Sequence, residues 1–157
     1  MVVCLVFDID DTIYVHKSTI VPYHTIRPDY QLKHQLERIP YPKFILSNAN
    51  FDHANLIVNR LGIDDQIEKI YTRDNIPEMK PSAFCYRSVT RDISMSLYGK
   101  IPDQIIFFDD LISNLEGAKK QGWYTIWISP NYIEAHKYPF IDKSFLSVKE
   151  ALDQLHF

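Results

Sequence analysis

The stretch Val2–Thr12, VVCLVFDIDDT, decides how the rest of the chain is read. Six apolar residues run from Val2 to Phe7 and stop at Asp8, and acids return at Asp10 and Asp11 before Thr12. A short run that is apolar at every residue, rather than every second one, reads as a strand covered on both faces. Three more runs share this character: Lys43–Leu46, Gln104–Phe108 and Trp123–Ile128, with Ile67–Tyr71 a weaker fifth. Between them lie segments of helical pattern, Pro28–Ile39, Phe51–Leu61, Ser82–Leu97, Ser113–Gln121 and Val148–Leu155. Pro28 suits a first helical turn, while Gly62, Gly99 and Gly122 suit helix ends. Strands alternating with helices predict an α/β fold, a Rossmann-like three-layer sandwich around a central, mainly parallel sheet. Asp11–Thr25 and Pro130–Ser144 have no helical period and read as loop or short hairpin.

With 157 residues, no internal repeat and no linker composition, the chain is expected to form one domain over 1–157. Twenty acidic against seventeen basic residues give a net charge of −3, which disfavours a polynucleotide or an anionic membrane as partner. The first residues carry no basic leader, and no apolar run approaches the ~18 residues of a spanning helix. Cys4 and Cys85 lack metal-ligand spacing and read as small, reduced core residues, which suits a cytoplasmic address.

The polar residues that follow the strands carry the chemistry. The first run ends in Asp8-Ile9-Asp10-Asp11-Thr12, the second in Ser47-Asn48, and the third in Asp109-Asp110. In open parallel sheets ligands bind beyond the carboxyl ends of the strands. If these strands are neighbours, several carboxylates and a hydroxyl meet in one crevice, an arrangement that calls for a cation. Oxygen-only ligands suit Mg²⁺, and Lys80, just before a helix, adds a positive charge nearby. Together these groups describe a phosphoryl-transfer site. Taken singly each has a plainer explanation: a turn former, a helix cap at Ser47-Asn48 or Asn114, a solvated lysine at position 80. Their joint occurrence, in order and at strand ends, is what carries the reading.

Asp8-x-Asp10-x-Thr12 after an apolar strand resembles the first motif of the haloacid dehalogenase-type hydrolases. Ser47 resembles their second motif, Lys80-Pro81 their third, and Asp109-Asp110-x-x-x-Asn114 their fourth. Ile45–Ala54, ILSNANFDHA, with Leu61-Gly62-Ile63, is similar in wording to the pyrimidine 5′-nucleotidase-like branch. The resemblance implies a phosphomonoester hydrolase using Mg²⁺. In it Asp8 is the nucleophile that forms an aspartyl-phosphate, Asp10 the general acid–base, and Thr12 a buttress of the turn. Ser47, Asn48 and Lys80 hold the phosphate. The metal is bound by Asp8, the Asp10 carbonyl and the pair Asp109–Asp110, with the direct ligand of that pair left open. An acid at position 10 favours a phosphatase over a dehalogenase.

The chain between Thr12 and Ser47 has room for a flap, about residues 13–27, and one helix, so no separate cap domain is expected. An open site suits a small phosphorylated molecule, a nucleoside monophosphate or a phosphoprotein, or closure by a second copy of the chain. Tyr14, His16, Lys17, Tyr23 and His24 are the flap residues placed to select among them. Two other classes compete. A receiver-type phosphoacceptor ends its first strand in an acidic pair and its third in the acceptor, the reverse of the order here. A non-catalytic phosphate- or magnesium-binding regulatory domain is expected to have lost the nucleophile, the acid or the lysine, whereas Asp8, Asp10, Ser47, Lys80 and Asp110 are all present.

Overall fold

A computed structural model describes residues 1–157. The apolar runs become strands β1 (Val3–Phe7), β2 (Lys43–Leu46), β3 (Lys69–Tyr71), β4 (Gln104–Asp109) and β5 (Tyr124–Ile128). A sixth, β6 (Lys143–Phe145), completes a wholly parallel sheet in the order β3-β2-β1-β4-β5-β6. The helices are α1 (Tyr30–Glu37), α2 (Phe51–Leu61), α3 (Ala83–Ser96), α4 (Ile112–Lys120) and α5 (Val148–Gln154).

The absence of alternation in β1 is explained by two cores. Val3, Leu5 and Phe7 pack with residues of α1, α2 and α5, whereas Cys4 and Val6 pack with residues of α3 and α4. β4 divides in the same way, Ile106 and Phe108 to the first core and Ile105 and Phe107 to the second. Phe7 stacks on Phe108 at 4.5 Å between ring centroids, joining the two central strands. Full burial of side chains of this size contributes roughly 1.5–3 kcal/mol each. The Cys4 and Cys85 thiols are free and buried, and burial pushes both up to about 11. No helix is long and apolar enough to cross a membrane.

Helix ends follow their capping chemistry. The first helix was expected from Pro28, but it begins at Tyr30 because Asp29 is the N-cap and accepts from the Leu32 N–H at 3.0 Å. Asn50 caps α2 through the His53 N–H, and Gly62 closes it with φ 74°, a conformation costly for a residue with a Cβ. The plainer explanation of Asn114, as a cap of the following helix, fails. Asn114 lies inside α4 and is buried, and the N-cap position is Leu111. The segment expected to be irregular near Pro130–Ser144 also contains more order, a 3₁₀ turn at Tyr132–Lys137 and the short strand β6. Asp142 ties it down by accepting from the Thr125 N–H and the Lys119 ammonium.

The chain runs from β1 outward to β2 and β3, then returns through α3 to β4 on the other side of β1. That reversal opens a crevice past the carboxyl ends of β1 and β4, where ligands of such sheets bind. Between β1 and β2 lie only a loop, a 3₁₀ turn at Tyr23–Thr25 and α1, so no separate cap covers the crevice.

Candidate active site

Three strand ends converge in the crevice. Asp8 follows β1 directly and its N–H donates to the Phe108 carbonyl at 2.9 Å, which sets it beside Asp109, the last residue of β4. After Asp8 the chain turns sharply. Asp11 takes φ 60°, a conformation that Asp tolerates better than most residues, and the Thr12 and Tyr14 N–H groups both donate to the Ile9 carbonyl. This turn folds Thr12 back so that its hydroxyl lies 2.9 Å from Asp8 Oδ2 and 3.3 Å from Asp110 Oδ1.

Lys80 enters from the loop before α3 and is the buried cation of the cluster. Its ammonium donates to Asp8 Oδ1 (2.9 Å), Asp109 Oδ2 (2.8 Å) and the Leu46 carbonyl (2.9 Å), which engages all three of its protons. Asn48 holds the Lys80 backbone from both sides. Its Oδ1 accepts from the Lys80 N–H, and its Nδ2 donates to the Lys80 carbonyl, each at 3.0 Å. Asn48, expected on the phosphate, thus gives its amide oxygen and one of its two amide protons to this clamp. Ser47, also buried, accepts from the Ala49 N–H at 3.1 Å and keeps its own proton to donate.

Asp109 and Asp110 differ in what they touch. Asp109 is fully buried, with Oδ1 accepting from the Leu111 N–H and Oδ2 from Lys80 and from the Asn114 amide. Asp110 is only half-buried and has the Thr12 hydroxyl as its side-chain partner. Its backbone is fixed by the Trp127 indole, which donates to the Asp110 carbonyl at 2.9 Å.

The electrostatics match a cluster with more negative charge than Lys80 can balance. Burial pushes the Asp8 carboxyl up to about 6; Lys80 pulls against this and Asp109 adds to it. Burial also raises Asp110, to about 8, with Asp109 and Asp8 adding their repulsion. Burial works against the Lys80 ammonium, yet Asp109 and Asp8 outweigh it and hold the lysine above its ordinary value. Oxygen atoms of Asp8, Asp109 and Asp110 lie within 4.8 Å of one another. A hard divalent cation fits this donor set, since its ligands are carboxylates and it would relieve the repulsion that raises Asp8 and Asp110.

Asp10 faces a different neighbourhood. It lines an open cleft of about 550 Å³ together with His16, Tyr23, Asn50, His53 and Arg73. His16 Nε2 lies 2.6 Å and His53 Nε2 2.7 Å from the same oxygen, Asp10 Oδ1, and the Tyr23 hydroxyl is 2.5 Å from His53 Nδ1. Of the flap residues expected to shape specificity, His16 and Tyr23 reach this cleft, Tyr14 sits edge-on to His16, and Lys17 and His24 stay exposed outside it. His53 and Arg73 were not foreseen. His53 lies in the stretch similar to the nucleotidase-like branch, which gives it no role, and nothing in the sequence around Arg73 marks it.

Fold and site together define a hydrolase of the superfamily whose motifs the sequence resembles. The chain belongs to the haloacid dehalogenase-like hydrolase family, whose model matches residues 15–128. Solved structures agree on the fold. A putative hydrolase of this superfamily from Bacillus subtilis, YfnB, crystallised with magnesium, superposes with a TM-score of 0.69 at 11% identity over 96% of each chain. An uncharacterised protein from Listeria monocytogenes gives 0.65 at 16% identity, covering 98% of this chain and 100% of that one. The L-2-haloacid dehalogenase of Xanthobacter autotrophicus, with chloropropionic acid covalently bound, gives 0.61 at 17% identity. That match covers 83% of this chain but only 62% of the dehalogenase.

Proposed function

We propose that the protein is a magnesium-dependent phosphomonoester hydrolase working through an aspartyl-phosphate on Asp8. One observation carries the choice of phosphatase over dehalogenase. Two carboxylates stand two residues apart, Asp8 buried against a lysine and Asp10 presented to an open cleft. A nucleophile and a separate acid–base need that division of environments.

Asp8 attacks phosphorus while Lys80 and Thr12 hold its two oxygens and fix its orientation. Ser47 donates its free proton to a phosphoryl oxygen. Asp10 protonates the leaving oxygen on the cleft side, then takes a proton from the water that hydrolyses the acyl-phosphate. Asp110, half-buried and short of partners, is the metal carboxylate beside Asp8 and the Asp10 carbonyl. Asp109, which accepts from Lys80, the Leu111 N–H and the Asn114 amide, positions Lys80 instead. Mg²⁺, when bound, supplies charge neutralisation between nucleophile and phosphate. With no cap above it, the cleft suits a small phosphorylated metabolite, a nucleoside monophosphate or a phosphorylated protein side chain. The reduced, buried thiols fit a cytoplasmic setting.

The test is hydrolysis of p-nitrophenyl phosphate with Mg²⁺, beside EDTA-treated protein, an Asp8→Asn variant and 2-chloropropionate as the alternative substrate. Metal-dependent phosphate release that vanishes with EDTA and with Asp8→Asn is expected. Chloride release without phosphate release, or full activity in Asp8→Asn, would overturn the reading.

A further inference from the structure

We propose that Asp10, His16 and His53 form a second, softer cation site at the cleft mouth that takes Zn²⁺ or a similar transition-metal ion. When filled, it withdraws Asp10 from catalysis; this consequence, unlike the site itself, rests on the phosphatase reading.

The donors are two imidazole nitrogens and a carboxylate oxygen, all within 4.8 Å of one another. That set suits zinc, cobalt or nickel and is poorly matched to Mg²⁺, which prefers oxygen. The crevice therefore holds two clusters of opposite chemistry, Asp8–Asp109–Asp110 with oxygen alone and Asp10–His16–His53 with nitrogen.

The three ligands come from separate elements: Asp10 from the turn after β1, His16 from the flap, and His53 from the first turn of α2, held by its Asn50 cap. The two imidazole planes are nearly parallel, 6° apart with centroids at 6.5 Å, and both direct Nε2 at Asp10 Oδ1. Zinc bound at roughly 2.0–2.1 Å from each donor sets neighbouring donors a little over 3 Å apart. The present 2.6 and 2.7 Å spacings need open by only several tenths of an ångström, a shift that His16 on the flap can make.

The outer partner is already in place. Because a carboxylate oxygen only accepts, a neutral His53 would place its proton on Nε2 toward Asp10 and accept from the Tyr23 hydroxyl at Nδ1. With metal on Nε2 the ring proton moves to Nδ1 and donates to the Tyr23 oxygen, while the Tyr23 hydroxyl proton turns to water in the open cleft. Outer contacts of this kind fix tautomer and ring orientation in metal-binding histidines. The remaining coordination positions face the open cleft, where water or a substrate oxygen completes them.

Calorimetric titration of the EDTA-stripped protein with Zn²⁺, in excess Mg²⁺, tests the site without turnover. One Zn²⁺ per chain is expected. Binding should weaken by about tenfold or more in His16→Ala and in His53→Gln, both checked for folding by circular dichroism, and persist in Asp8→Asn. No heat beyond dilution, or equal binding in both histidine variants, would overturn the site. Zn²⁺ should also abolish Mg²⁺-supported hydrolysis, reversibly on chelation; full hydrolysis at saturating Zn²⁺ would overturn the inhibitory consequence. A protein that binds Zn²⁺ in this way but shows no hydrolysis with Mg²⁺ alone would count against the phosphatase reading and support the site.

Discussion

Replacing Lys80 with Met nearly preserves side-chain length and removes the buried cation from among three carboxylates. The lysine side chain is 1% exposed and that of Asp109 is 0%. The substitution therefore leaves Asp109 Oδ2 with only the Asn114 amide, and Asp8 with only the Thr12 hydroxyl. Removing one partner of a buried ion pair costs about 3–5 kcal/mol. Proton uptake limits that cost, and its sign follows from Asp8. Burial already raises this carboxyl to about 6, and loss of Lys80 raises it further. A carboxyl whose pKa is higher folded than unfolded favours the native state while protonated and loses that advantage as pH rises through the folded value. The variant should therefore lose the full about 3–5 kcal/mol near pH 8 and clearly less near pH 5. For a chain of this length each kcal/mol moves the Tm by roughly 2–4 °C, so a drop of about 10 °C is expected at the higher pH. Urea melts of both proteins in EDTA at the two pH values, repeated with Mg²⁺, measure it; the cation should restore part of the loss. Equal destabilisation at both pH values, or a loss under about 1 kcal/mol near pH 8, would refute the account of Lys80 as the balancing charge.

Four further outcomes are expected. Asp8 and Asp110 are both raised, chiefly by burial, to about 6 and about 8, so metal-free protein should lose stability as pH climbs from the ordinary carboxylate range through those values. Mg²⁺ at about a hundred times its Kd should return about 2.7 kcal/mol in thermal melts, and more at high pH than at low. Gly117→Ala places a Cβ 2.8 Å from the Pro81 carbonyl oxygen and 3.0 Å from Tyr86 Cε2. Overpacking of about 1–3 kcal/mol should outweigh the roughly 1 kcal/mol gained in helix propensity, and kcat should fall because the loop carrying Lys80 must shift; denaturant melts and steady-state kinetics check both. Asp10→Asn should slow the first step, read as pre-steady-state release of the leaving group, by about 10²–10⁴ on an alkyl phosphate and much less on p-nitrophenyl phosphate, whose leaving group needs no proton; equal losses in that step on the two substrates would count against Asp10 as the acid.

What could be read in the sequence and what could not divides along a physical line. β1 declared itself because burial on both faces removes alternation, and Asp8 and Asp109 stood out because they occur together with Ser47 and Lys80, in order and at strand ends. β6 did not, since Lys143-Ser144-Phe145 has no apolar signature of its own and is ordered by β5 and by the bonds of Asp142. Nor did the meeting of Asp10 with His53, which depends on how α2 and the turn after β1 approach each other in space. The finer division of tasks was hidden for a further reason. Residue type says which groups can donate or accept, but only the fold says how many of those capacities are already spent. Lys80 has three protons and all are taken, Asn48 has used both ends of its amide, and Asp109 has used both oxygens. Asp110 has a single side-chain partner, the hydroxyl that it shares with Asp8. Counting satisfied groups therefore distinguishes two adjacent aspartates that the sequence left equivalent: Asp109 accepts from Lys80, Leu111 and Asn114, whereas Asp110 accepts from Thr12 alone.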